Sequence, residues 1–106
     1  MDVNPTKAKE LIQIKRSLIV VDVRERHEYC GSKGHIPGAI NLPWDTGIFQ
    51  KRYQELSRDA EILVVCRRGQ RSSKAAVFLE EHGYPRIYNM NTGMDKWQGE
   101  MEKCKD

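Results

Sequence analysis

Two continuous apolar runs constrain the fold of this chain most strongly. The stretches 18–23 (LIVVDV) and 62–66 (ILVVC) are rich in β-branched residues and scarcely alternate between apolar and polar positions. Strands of this kind are buried on both faces, which is typical of a parallel sheet covered by helices. Both runs are far too short to cross a bilayer. No association with a membrane is therefore expected.

Helical and turn patterns separate these strands. Asn4-Pro5 is typical of a helix start, and Gly83 is a typical stop for a helix over 72–82 (SSKAAVFLEEH). The remaining pattern predicts short helices at 24–29 and 49–56, strands at 39–42 and 86–90, a turn-rich connection at 31–40 and a final helix at 94–103. Alternating strands and helices predict an α/β fold of three layers, α/β/α, with a mostly parallel central sheet. With 106 residues the chain is expected to form a single domain, with its core at about 5–99 and a loose tail at 100–106.

The cysteine content gives no sign of a metal site or a stapled scaffold. Cys30, Cys66 and Cys104 are odd in number, far apart, and without a CxxC or Cys/His cluster. No metal and no cofactor is expected. The first five residues lack a basic segment followed by an apolar one, so a cytoplasmic location is expected.

The charge distribution favours a small anionic partner. The net charge is +3, and without Arg67, Arg68, Arg71 and Lys74 the rest of the chain is close to neutral. Nucleic-acid binding would require a longer basic stripe with interleaved aromatic residues. A small anion is therefore the predicted ligand, and nucleic acid is not.

The turn after the second strand has the features of a nucleophilic site. Residues 66–72 read CRRGQRS, so Cys66 ends a buried strand and a helix begins near Ser72. Ligands of open α/β sheets bind at the carboxyl ends of the strands. Gly69 allows backbone N–H groups to turn inward, and these groups, the helix dipole and the arginines stabilise a thiolate. A buried inert cysteine is the alternative, but three arginines and a glycine within five residues favour a functional thiol.

Three motifs in order give the chain a resemblance to the rhodanese family, specifically to its single-domain members. CRRGQRS resembles the active-site loop of the family. VVDVRERHEY followed by GHIPGAINLP resembles its N-terminal signature, and LEEHGYPRIYNMNTGMDKW resembles its closing signature. The similarity covers residues 5–99. It implies a rhodanese-like domain that acts as a thiosulfate sulfurtransferase-like enzyme.

The resemblance also implies roles for individual residues. Cys66 accepts a sulfane sulfur from an anionic donor such as thiosulfate and passes it, as a persulfide, to cyanide or a thiol. A protein is a further candidate acceptor. Asp22 and Arg24 brace the loop without taking part in the chemistry. The backbone amides of six residues cradle the persulfide and the donor: Arg67, Arg68, Gly69, Gln70, Arg71 and Ser72.

Among the arginine side chains, those of Arg67 and Arg71 are expected to contact the donor oxygens, because a guanidinium fork matches such oxygens. Arg68 is expected to point to solvent.

Two other functions remain alternatives. Cysteine-dependent phosphatases and arsenate reductases of the same fold have five residues between cysteine and arginine, whereas four separate Cys66 from Arg71 and the next residue is Ser72. A non-catalytic binding module of this family typically lacks the cysteine.

The roles of the other two cysteines remain open. Cys30 and Cys104 could relay sulfur or form a disulfide with Cys66. The link between Tyr29 and His35 is longer than is usual in the family, which is a first departure from its pattern.

The closing signature contains a second departure. Thr92-Gly93 stands where a pair of glycines is common in the family, which leaves the backbone conformation at Thr92 open.

Overall fold

The computed structural model describes residues 1–105 and shows one sheet of parallel strands. The strands are β1 Asp2–Val3, β2 Ile19–Asp22, β3 Ile40–Asn41, β4 Ile62–Val65 and β5 Ile87–Met90. Their order is β1-β5-β4-β2-β3, and each neighbouring pair is parallel. The two apolar runs of the sequence therefore form the adjacent central strands β2 and β4, in register at Val21 and Val64.

Helices cover both faces of this sheet. They are α1 Pro5–Ile14, α2 Arg26–Tyr29, α3 Ile48–Arg52 and α4 Gln70–Glu81, with 3-10 turns at Tyr53–Glu55 and Met94–Lys96. One buried cluster joins α3 and α4 to Val21 and Val64, and a second joins α1 to Val20 and Leu63. Alternate residues of each central strand thus enter opposite clusters, which confirms the predicted α/β/α layers. None of the helices formed by residues 1–105 has the length and apolar character needed to cross a membrane.

The ends of two helices show how local sequence sets their positions. The side chain of Asn4 accepts a hydrogen bond from the Lys7 amide at 2.8 Å, so α1 begins where the Asn-Pro pair predicted. Helix α4 begins at Gln70, two residues before the expected start. Gly69 precedes it with φ of 96°, a left-handed conformation that favours glycine.

The predicted helix at 94–103 is wrong. Only the 3-10 turn Met94–Lys96 forms, and Trp97 is extended, with φ −71° and ψ 130°. The indole Nε1 of Trp97 donates to the Glu100 carbonyl at 3.1 Å, and the ring lies directly over Gly99. This contact turns the chain back before a helix can continue.

The C-terminal tail is also attached where a loose segment was expected. Cys104 forms a disulfide with Cys30, and the backbone of Glu102 pairs with that of His35. Cys66 is the free cysteine. The possibility that Cys30 or Cys104 forms a disulfide with Cys66 is therefore not realised in this structure, because these two cysteines pair with each other.

Candidate active site

Cys66 lies at the point of the sheet where the chain connections change direction. It follows β4 directly, and α4 begins four residues later. From β4 the chain continues to β5 on one side, whereas from β2 it continues to β3 on the other. The carboxyl ends of strands at such a switch point form a crevice, which is where open α/β sheets bind ligands.

Backbone N–H groups converge on the sulfur atom of Cys66. The amides of Gly69 and Ser72 donate to Sγ at 3.1 and 3.3 Å. The Ser72 hydroxyl makes a third contact, with Oγ 3.3 Å from Sγ, and it can donate to a thiolate. Cys66 itself is 1% exposed. This arrangement is the N–H nest expected from Gly69, and it stabilises negative charge on sulfur.

A small cavity opens above the sulfur. It has a volume of about 190 Å³, and its lining residues are Cys66, Arg67, Arg68, Gln70 and Arg71. Five of the seven residues of the CRRGQRS motif therefore surround one space. That space is large enough for a small anion next to Sγ.

A turn that follows β5 supports the loop from below. The amides of Met94 and Asp95 donate to the carbonyls of Cys66 and Arg67, at 2.7 and 3.0 Å. Gly93 has φ of 71°, and a Cβ there would overlap the Arg67 carbonyl. Thr92 has no positive φ, so the backbone at Thr92 does not need the glycine that is common in the family.

The most buried arginine of the loop is held by an acidic residue from α2. Arg71 Nη1 and Nη2 donate to the two carboxylate oxygens of Glu28 at 2.7 and 2.9 Å, and each side chain is 21% exposed. The bond from Arg71 holds the pKa of Glu28 at about 2, and the same bond raises the pKa of Arg71. Asp45 lies 3.6 Å from Arg71 as well. The loop is therefore less positive than its sequence indicates.

The other two arginines lie at the surface. Arg67 and Arg68 contact the carboxylate of Asp95 at 3.4 and 3.3 Å, and their side chains are 57% and 68% exposed. Ion pairs in such exposed positions are weak, so both guanidinium groups can reorient toward a ligand. Arg68 is the more exposed of the two, but both pair with Asp95, so the expected difference between Arg67 and Arg68 in donor contact stays a prediction.

Asp22 and Arg24 form a buried ion pair at the end of β2. Arg24 Nη2 is 2.8 Å from Asp22 Oδ2 and 3.1 Å from the Gly34 carbonyl, to which it donates. The guanidinium thus holds the loop at Gly34, whereas bracing of the 66–72 loop was expected. Asp22 and Arg24 are two residues apart, so the sequence places them close together. The contact of Arg24 with the Gly34 carbonyl, ten residues away, could not be predicted from the sequence.

Glu28, Asp95 and Gly93 belong to the site but were not predicted from the sequence. Each lies soon after the carboxyl end of β2 or β5, the two neighbours of β4. The rule that open α/β sheets bind ligands at the carboxyl ends of their strands led to Cys66, whereas Asp22 and Arg24 were expected from the family resemblance. Glu28 and Asp95 are acidic residues that follow β2 and β5 at this same edge of the sheet, and this position is the sequence signal that points to them.

Fold and site together define a class of α/β domain that presents a buried thiol inside an anion-binding loop. Comparison with known proteins agrees: the family model of the Rhodanese-like domain matches residues 4–100. The chain belongs to this family.

Relatives and solved structures support the assignment. YrkF of Bacillus subtilis (strain 168) is 37% identical over 94 residues, which are 89% of this chain and 49% of YrkF. A protein named sulfurtransferase from Allochromatium vinosum is 32% identical over 76% of this chain and 71% of its own length. The crystal structure of a rhodanese-like domain protein from Staphylococcus aureus superposes with a TM-score of 0.85, at 27% identity and 98% coverage of both chains. This chain spans about half the length of YrkF.

Proposed function

We propose that the protein is a sulfurtransferase that carries a sulfane sulfur on Cys66, taken from a small anionic donor such as thiosulfate. The observation that carries this proposal is the convergence of two backbone amides on Sγ, at 3.1 and 3.3 Å, beneath a cavity of about 190 Å³. N–H donors stabilise a thiolate, which is the nucleophilic form of cysteine. The name of the related sulfurtransferase from Allochromatium vinosum supports the same reaction class.

The reaction follows from this geometry in two displacements. The Cys66 thiolate attacks the outer sulfur of thiosulfate, the sulfur–sulfur bond of the donor breaks, and sulfite leaves with the electron pair. The Cys66 persulfide then occupies the cavity. Cyanide or an acceptor thiolate attacks its outer sulfur, so that thiocyanate or a new persulfide forms and the Cys66 thiolate returns. Such a sequence predicts ping-pong kinetics.

The loop residues have distinct roles in this proposal. The amides of Gly69 and Ser72 stabilise the negative charge on sulfur, because both lie within hydrogen-bonding distance of Sγ. Arg71 fixes one wall of the cavity and presents positive charge to the donor, while Glu28 holds its guanidinium in place. Arg67 contacts the donor oxygens after it leaves Asp95. Charge-assisted bonds of this kind suit a planar guanidinium and a tetrahedral anion.

Mass spectrometry of the intermediate tests the proposal. After treatment with thiosulfate, the peptide that contains Cys66 should gain one sulfur atom, and cyanide should remove it as thiocyanate. The Cys66→Ser variant should show neither change, while Cys104→Ser should keep the transfer to cyanide. Failure of the native protein to form the persulfide, with hydrolysis of an aryl phosphate in its place, would refute sulfur transfer and favour the phosphatase alternative.

A further inference from the structure

The disulfide between Cys30 and Cys104 connects two distant parts of the chain next to the proposed site. Cys30 follows α2, Cys104 lies 74 positions later in the tail, and their Cα atoms are 5.2 Å apart. Both residues are partly exposed. Thiol–disulfide exchange requires a sulfur atom that an attacking thiolate can reach, and neither cysteine of this disulfide is buried.

Apart from the disulfide, the tail is held mainly at Glu102. The backbones of Glu102 and His35 exchange two hydrogen bonds, at 2.7 and 2.9 Å, and the Glu102 carboxylate lies 3.3 Å from His35 Nε2. A Cβ at Gly34 would overlap the Glu102 carbonyl, so the tail lies directly on this loop. Chain ends stay ordered only where they are tied down. Cleavage of the disulfide would leave the tail held mainly by the backbone and the carboxylate of Glu102.

The tail also forms part of a groove beside the Cys66 cavity. The groove has a volume of about 550 Å³, and its lining includes the loop 31–33 directly after Cys30, Met101 of the tail and Arg67. Arg67 lines the Cys66 cavity as well. Glu28 lines the groove and bonds to Arg71, which lines the cavity. The disulfide therefore links two segments of a groove that adjoins the sulfur-carrying site.

We propose that Cys30 and Cys104 are a thiol–disulfide exchange site whose reduction by small thiols releases the tail and widens this groove for bulky thiol acceptors. The inference rests on the proposed sulfur transfer. In the exchange, one thiolate attacks a sulfur of the disulfide and displaces the other cysteine as a thiolate. A second thiol then releases the mixed disulfide. The protein gains two electrons and two protons, and the two small thiols leave as their own disulfide.

The Cys66 cavity and the groove differ in size, so reduction of the disulfide is expected to affect small and bulky acceptors differently. Cyanide is small enough for the cavity of about 190 Å³ at Cys66, whereas the groove of about 550 Å³ has the size of a site for an organic molecule. An acceptor such as glutathione would enter through the groove. The access of glutathione to Cys66 is therefore expected to depend on the position of the tail, whereas the access of cyanide is not.

Hydrogen exchange provides a readout that does not depend on activity. In the protein purified without reductant, thiol titration should find one free cysteine, and the amides of His35 and Glu102 should be protected. After treatment with dithiothreitol, three free thiols are expected, with exchange at these two amides about tenfold faster or more. Protection of the α4 amides of Ala75, Ala76 and Leu79 should remain, because these residues belong to the buried core.

Kinetics provide the second test. With thiosulfate and glutathione, the oxidised protein should show a lag before steady transfer, and pre-reduction should remove the lag. Cys104→Ser should also lack the lag, whereas Lys103→Ala, an exposed neighbour in the same tail, should keep it. With cyanide no form should show a lag.

The outcomes separate the two proposals. If no persulfide forms on Cys66, sulfur transfer is refuted, and hydrogen exchange still decides whether the tail responds to reduction. If reduction yields three thiols but leaves both the amide exchange and the lag unchanged, the disulfide is structural and this inference is wrong. Detection of three free thiols in the protein purified without reductant would overturn it as well.

Discussion

Replacement of Glu28 by Gln should destabilise the protein strongly at neutral pH and less so in acid. Folding brings the Glu28 carboxylate onto Arg71 and lowers its pKa from 4.5 to about 2. A pKa difference of this size corresponds to about 3 kcal/mol in favour of the folded state when the group is ionised. Since each side chain is still 21% exposed, water screens the pair, and a loss of about 1.5–3 kcal/mol is expected at pH 7.

The pH dependence of this loss has a definite sign. Because the folded-state pKa of Glu28 is lowered, its contribution is complete above pH 4.5 and is lost as the pH falls through about 2. The difference in unfolding free energy between wild type and Glu28→Gln should therefore shrink by about half from pH 7 to pH 3. Urea unfolding at a series of pH values measures it.

A matched control is available on the surface. Glu55 makes a similar bidentate contact with Arg52, but both side chains are more than half exposed. Glu55→Gln should therefore change stability far less than Glu28→Gln. Equal effects of the two replacements at pH 7, or an effect of Glu28→Gln that is the same at pH 7 and pH 3, would refute the reasoning.

Three further replacements test the loop. Arg71→Ala should reduce kcat/KM for thiosulfate by the equivalent of about 1.5–3 kcal/mol, and Arg68→Ala, which removes a solvent-exposed side chain, should have little effect; the reverse order in steady-state kinetics would contradict this. Gly93→Ala should lower the unfolding free energy by at least about 2 kcal/mol more than Gly38→Ala. Both glycines have positive φ, but of the two only Gly93 lies against a backbone carbonyl. Equal urea midpoints for the two variants would count against the supporting role of this turn. Ser72→Ala should slow alkylation of the Cys66 thiolate by iodoacetamide at neutral pH, since it removes a hydroxyl 3.3 Å from Sγ; an unchanged rate would show that the amides suffice.

The sequence alone determined the central strands and the position of Cys66. Uninterrupted β-branched runs indicate buried parallel strands because both faces of such strands must be covered, and this information is local. The glycine at position 69 and the helix after it likewise specify an N–H nest at the end of β4, as the amides of Gly69 and Ser72 on Sγ show. Short-range patterns of this kind also carried the resemblance to the family.

The tertiary structure alone decided which residues meet around that nest. Glu28 and Arg71 are 43 positions apart and Cys30 and Cys104 are 74 apart, so no local pattern records either contact. Each contact depends on where the sheet order places the segments after β2, β4 and β5. The helix predicted at 94–103 failed for the same reason. Its composition permitted a helix, but the packing of the Trp97 ring over Gly99 and the bond from Cys104 to Cys30 stabilise a folded-back tail. Tertiary contacts outweigh helix propensity here, because propensities differ by less than about 1 kcal/mol per residue.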